Sequence, residues 1–376
     1  MTRLALVLAG GSGALLGVLL PTAAFAHDDA PGHTHDTPPA ALPLPTVVET
    51  SGPLELPPTK ADPALKSSGQ GYWRFVAAPQ LMPVPAAAQP HVKGAHGTVV
   101  VDAERDVVYW GLERVGWIAF RQRLTRSEVV QGDPVLSSGN LHGADLWRRP
   151  GQTPLIVAAD NVEGHVYLSD TRFQEVARLG VPEGGPYADG KGFAPTDAAF
   201  TKAGEIYVTD GYGKAYFMPV ATDPLKYLGG FHGGKAVSQT PHGITHDRTD
   251  DSLLVSARPE GQVKRWSVKD HAWLETYGLP AGSTVCDVDL WGDYALAPCL
   301  NGPNGSPGPI YILNLKKKTI ASTLRPKEDL AYSEAQHIHD ACWYVTGEGA
   351  TREVYVLFTN WNPGGVGALK LVNLAD

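Results

Sequence analysis

The chain has 376 residues, a formal net charge of −8 and no Lys/Arg run longer than Lys316–Lys318, which excludes a nucleic-acid footprint. Its 42 Gly and 31 Pro disfavour long helices and favour short strands joined by turns, in two or three ordinary domains or one large all-β domain. After the N-terminal segment no stretch approaches the ~20 apolar residues that a membrane span needs.

Residues 1–26, "MTRLALVLAGGSGALLGVLLPTAAFA", read as a secretory signal: Arg3 is the positive start, residues 4–20 are apolar, and "AFA" offers a small-residue cleavage site. The mature protein is then exported, to a periplasm or the extracellular space. It would begin "HDDAPGHTHD", where His27, His33 and His35 alternate with Asp28, Asp29 and Asp36. Residues 27–69 are rich in Pro and Ala and lack apolar periodicity, so they are expected to be a flexible, disordered arm. Its histidines and carboxylates are either loose ligands for a divalent metal or part of a solvated tail.

Residues 70–376 carry a repeat. Six junctions, "AHGTVVVD", "LHGADLW", "PTDAAF", "PHGITHD", "VCDVDLW" and "IHDACWY", each lead into two further apolar strands, such as "EIYVTD" and "KAYFMP". Their second residues are His96, His142, Thr196, His242, Cys286 and His339, separated by 46, 54, 46, 44 and 53 positions. That period suits an all-β, six-bladed β-propeller, with "YWRFVAA" (72–78) returning to complete the last blade. A two-sheet sandwich is the rival topology.

In such a ring His142, His242 and His339 fall on blades two, four and six, about 120° apart around the axis. Three converging imidazoles with an open fourth position form the ligand pattern of catalytic zinc. His96, on blade one, is an extra candidate ligand or a support. His246 and His337 lie close to better candidates and read as bystanders, with His337 kept beside His96 as a candidate extra metal ligand. Of the three cysteines, Cys286 and Cys299 flank an expected two-residue turn at Gly292-Asp293 whose register would place them opposite each other, predicting a disulfide. Pro298 counts against that register, since it lacks an N–H. Cys342 reads as a buried small hydrophobe.

The segments "GFAPTDAAFTKAGEIYVTDGYGKAYF" and "TPHGITHDRTDDSLLVSARPEGQVKRW" resemble the NHL-type propeller of peptidyl-α-hydroxyglycine α-amidating lyases. The repeat pattern extends the resemblance over roughly 90–376, densely over 192–266. It implies a central zinc on His142, His242 and His339, an active-site tyrosine at Tyr212, substrate-binding arginines at Arg258 and Arg114, and a structural calcium to which Asp340 contributes. His337 stands where that family carries a substrate-contacting methionine, and the first junction has Leu before His in place of Pro. The implied reaction cleaves the C–N bond of a carbinolamide, releasing an amide and glyoxylate from a substrate with a C-terminal carboxylate. Tyr212, its pKa lowered by the cation and Arg258, would be the base. The alternative is a zinc carrier similar to periplasmic metallochaperones, with the axial histidines and His27, His33 and His35 holding cargo for a metal-transport binding protein. A third is a scaffold rigidified by its metal.

Overall fold

The computed structural model describes residues 41, 43–49, 52, 60–62, 64–174 and 176–374. The expected signal segment and His27, His33 and His35 lie outside the described residues. Six small antiparallel sheets surround a central axis, giving the expected six-bladed propeller. Blade one runs Val99–Asp102, Val107–Leu112, Gly116–Arg121 and Arg126–Val129. Blade two starts at Leu141–Trp147, blade three at Asp197–Phe200, blade four at Pro241–Asp247 and blade five at Asp289–Trp291. These first strands line the axial channel.

Blade six closes the ring. Its three C-terminal strands, Ile338–Thr346, Glu353–Asn360 and Val366–Leu371, are completed by Trp73–Ala77, with Leu369 opposite Ala77 and Leu371 opposite Phe75. The first and last parts of the propeller are thus pinned to one another by one sheet. Trp73, fully buried, packs against Tyr294 and Trp343 with ring centroids 4.5 and 5.4 Å away.

Apolar residues alternate along the strands because each sheet must bury both faces, one against each neighbour. Each blade interface accordingly has its own hydrophobic cluster. Tyr109 and Trp117 of blade one meet Ile156 and Tyr167 of blade two, and Tyr207 and Phe217 of blade three meet Leu253 and Trp266 of blade four. Cys342 sits in the cluster between blades six and one, the buried small hydrophobe expected of it. Among the described residues no helix is long and apolar enough to cross a membrane.

Part of the expected flexible arm is structured. Pro43 bridges to Gly278 and Thr46 to Ile320, both parallel, at the outer strands of blades four and five. The backbone N–H groups of Leu44 and Val47 donate to Gly278 and Ile320, and Ile320 N–H returns a bond to Pro45. The prolines, which lack a donor, fall where this edge asks for none. Beyond this strap Glu49 plunges inward to accept from Tyr294 Oη and Asn314 Nδ2, each at 3.0 Å. Lys60–Ala61 pairs in parallel with Asn373–Leu374. Apolar periodicity could not reveal these contacts, because backbone groups and one carboxylate make them.

Candidate metal centre

The three histidines of the even blades sit at irregularities in their strands. Register shifts fall between Leu141 and Gly143, between Pro241 and Ile244, and between Ile338 and Asp340. A bulge re-aims the side chain it carries, and here each re-aimed residue is the histidine. Two of the histidines are followed by glycines for a steric reason. A Cβ on Gly143 would fall 2.3 Å from Asp197 Oδ1, and one on Gly243 would fall 2.4 Å from Asp287 Oδ1. No side chain fits where the next blade's aspartate packs.

The imidazoles converge as the spacing predicts. Ring centroids of His142 and His339 are 4.5 Å apart, those of His142 and His242 4.7 Å, and those of His242 and His339 5.1 Å. His96 joins them, 5.4 Å from His142 and 5.0 Å from His339. The potential ligand atoms of His96, His142 and His339 lie within 4.8 Å of one another.

Tautomers follow from the odd blades. His142 Nδ1 lies 2.7 Å from the Thr196 carbonyl, and His242 Nδ1 lies 2.7 Å from the Cys286 carbonyl. A carbonyl only accepts, so each Nδ1 bears the proton and each Nε2 presents a lone pair. Burial pushes His142, His242 and His339 well below the usual histidine pKa, with neighbouring imidazoles and Arg258 adding to the effect. His96 is lowered to about 4, again chiefly by burial. All four rings are therefore neutral near pH 7, the form that binds metal. His339 leaves both ring nitrogens buried without a hydrogen-bond partner, although the Gly97 carbonyl alongside favours its protonation. Orphaned buried nitrogens within an all-imidazole set fit a borderline divalent ion such as zinc.

Tyr212 and Arg258 reach into this cluster from turns that join second to third strands. The Tyr212 residue is 39% exposed, but its hydroxyl lies 3.0 Å from His242 Nε2 and 3.3 Å from His142 Nε2. Arg258 donates Nη1–H to that hydroxyl at 2.9 Å, and its Nη2 meets His242 Nε2. The tyrosine pKa departs from expectation. Arg258 pulls it down, but burial dominates and the phenol stands above its ordinary value.

Other expected residues are placed differently. Arg114 lies in the corresponding turn of blade one, but its side chain is 72% exposed and its Nε pairs with Glu113 at 3.3 Å. His246 lies four residues along the strand from His242 and pairs with Asp251 at 2.8 Å. His337 is held by the Leu300 carbonyl at 3.0 Å. Asp340 lies in the channel wall, accepting from Val99 N–H at 2.6 Å, with Asp287 hydrogen-bonded beside it. Burial raises Asp340, and raises Asp287 strongly with help from the neighbouring carboxylates.

The expected disulfide is absent: Cys286 and Cys299 are both free thiols. The turn does pair Trp291 with Tyr294, but further out Val285, not Cys286, lies opposite Cys299. The register has slipped by one residue, which turns the two Cβ atoms to different faces. Cys286 instead belongs to the axial site, with Arg258 Nη2 3.5 Å from its Sγ.

Trp361 escapes the reading from sequence. It stacks on His96 at 5.3 Å and flanks His337 at 5.7 Å. Its signal was available, since it follows the second strand of blade six as Arg258 follows that of blade four. An axial channel of about 200 Å³ is lined by His142, His242 and His339 and by Asp197, Asp287 and Asp340.

No family model matches the chain, and no curated protein matches it significantly. Solved structures match in number, 1176 chains in all, a breadth that marks a common architecture. A chain of a nidogen/laminin complex aligns with a TM-score of 0.51 at 12% identity, covering 73% of this chain and 97% of that one. Sqt1 of Saccharomyces cerevisiae aligns with a TM-score of 0.46 at 10% identity, covering 71% of this chain and 69% of that one.

Proposed function

We propose that this chain is an exported, zinc-dependent C–N lyase of the amidating type, acting on a carbinolamide that bears a carboxylate. The observation that carries the reading is the Tyr212 hydroxyl, which touches two imidazoles and a guanidinium at once. His142, His242 and His339 would hold the ion, which when bound would act as a Lewis acid on the substrate oxygens and add a positive field beside the phenol. Arg258 would clamp the carboxylate in the fork geometry that guanidinium favours. Tyr212 would take the hydroxyl proton as the C–O bond becomes a carbonyl and the C–N bond breaks. The leaving nitrogen takes a proton, giving amide and glyoxylate. Without a cation burial keeps the phenol a poor base, so activity should depend on metal. The structural calcium would sit at Asp340, where Asp287 supplies a second carboxyl.

One observation favours a second reading. His96 brings a fourth imidazole to the axis, and four nitrogens would close the shell and leave no open position. Such a site suits cargo, delivered by the His27, His33 and His35 arm or passed to a metal-transport binding protein. Two measurements separate the readings. Zinc content of His142→Ala tests the shared site: full retention of stoichiometric zinc would sink both. Glyoxylate release from an α-hydroxyglycine amide tests the chemistry. No product from zinc-loaded protein, with ready zinc transfer to an acceptor, would select the carrier.

A further inference from the structure

The lone pairs around the axis can be assigned one at a time. His242 gives its Nδ1 proton to the Cys286 carbonyl, so Nε2 has a single lone pair to offer. A guanidinium has donors only, and Arg258 Nη2 meets that Nε2 more closely than the Tyr212 hydroxyl at 3.0 Å does, so Arg258 takes the pair. A metal ion at His242 needs the same electrons. Arg258 and a cation therefore compete for one atom, and they also repel each other as like charges. His96, His142 and His339 form the trio whose donor atoms converge without His242.

Arg258 meanwhile has no counter-ion among the described residues. The groups that face it are Tyr212, His242 and Cys286, none of them a carboxylate, and its Nε is buried without an acceptor. A ligand carboxylate would be a better partner than an imidazole, because it accepts two parallel bonds and neutralises the charge.

We propose that Arg258 is an anion-operated latch on His242: a carboxylate that captures the guanidinium releases His242 Nε2 to the axial cation, so carboxylate and cation bind cooperatively. The proposal rests on the axial metal site described above. By linkage the cation must strengthen carboxylate binding by the same factor. The metal would be held loosely until a substrate, product or carboxylate-bearing partner arrives.

The test is zinc affinity of the full chain, measured by competition with a chromophoric chelator, with and without saturating N-acetylglycine. N-acetylglycinamide, which lacks the charge, is the control. Cobalt substituted for zinc gives an absorption readout of the ligand set. In the wild type N-acetylglycine should tighten zinc roughly five- to twentyfold, a usual range for coupled sites, and shift the cobalt bands, while the amide does neither. Arg258→Met keeps the stem and removes the donors, so it should bind zinc more tightly than the wild type without ligand and ignore N-acetylglycine. His242→Ala should also be unresponsive. Near-UV circular dichroism establishes that each variant is folded. Equal zinc affinity in wild type and Arg258→Met, with no carboxylate effect, would overturn the latch and leave the metal site standing. Tightening that persists in Arg258→Met would place the carboxylate on the ion itself and overturn it as well. Failure of the wild type to bind zinc, or zinc binding indifferent to His142→Ala, would remove the site and the latch together.

Discussion

Glu49→Ala tests whether the strap outside the propeller contributes to its stability. The Glu49 carboxylate is buried and accepts from Tyr294 Oη and Asn314 Nδ2, both at 3.0 Å, with a longer contact to Trp73 Nε1 at 3.4 Å. Lys317 Nζ lies 3.7 Å away and half in solvent, so it adds little. Truncation removes one acceptor group, strands the two closely bonded donors and ends the longer contact of the buried Trp73 N–H. Each orphaned donor costs about 1–3 kcal/mol, less where water can enter from the rim. The expected loss is therefore about 2–4 kcal/mol, which in a domain of this size lowers Tm by roughly 3–6 °C. Differential scanning calorimetry reads the shift, and proteolysis of the arm reads whether the strap has detached. Val48→Ala is the control, since Val48 is 60% exposed and makes no such bond. A Glu49→Ala protein melting within about a degree of wild type would refute the reasoning. The buried carboxylate would then be a passive occupant, and the strap merely laid on the surface.

Three further predictions follow from the packing and the site. Trp73→Ala empties the closing strand of blade six and should cost about 3–5 kcal/mol in urea unfolding; a loss below about 1 kcal/mol would mean that the ring does not rely on this strand. Tyr212→Phe should keep full zinc content while glyoxylate release falls about a hundredfold or more, and unchanged turnover would remove the phenol as base. His232, stacked on His271 at 3.6 Å, has its pKa lowered from the usual 6.5 to about 4, by burial first and by the neighbouring ring second. The folded state therefore refuses a proton that the unfolded chain accepts, so this stability is complete above about pH 6.5 and drains away as the pH falls towards 4. The ring is half open to water, which trims the effect to on the order of 1 kcal/mol. His232→Phe, which preserves the stack, should lose less stability than wild type between neutral pH and pH 5, and equal losses would contradict the assignment.

The sequence discloses the architecture because propeller blades repeat at a readable interval, and it discloses the axial histidines because they share one place in that interval. The period cannot report a one-residue slip. Counting outward from a tight turn put Cys286 opposite Cys299, whereas the strand irregularity before Asp289 puts Val285 there. Nor can apolar patterning report the strap, whose partners are backbone carbonyls and the cage around Glu49. Trp361 was missed for a different reason. It lies in a turn, where no alternation marks it, and only the comparison with Arg258 one step past its own strand reveals it. The raised pKa of Tyr212 escapes the sequence because proximity to a guanidinium is visible in a motif and depth of burial is not.

The working unit of this ring is a pair of blades. Even blades supply an imidazole on a bulge, and odd blades supply the carbonyl that fixes its tautomer, as Thr196 does for His142 and Cys286 for His242. The tautomer lock uses only a main-chain oxygen from the odd position, which is why the chemically unrelated Thr196 and Cys286 can both supply it. His96 breaks this rule, because its side chain turns to the axis, edge-on to His339 and stacked on Trp361. A side chain that the tautomer lock does not require, yet that reaches the ligand cluster, would serve the proposed metal site as a further ligand. Under the proposed latch His96 would offer a nitrogen while Arg258 holds His242, since its donor atom already converges with those of His142 and His339.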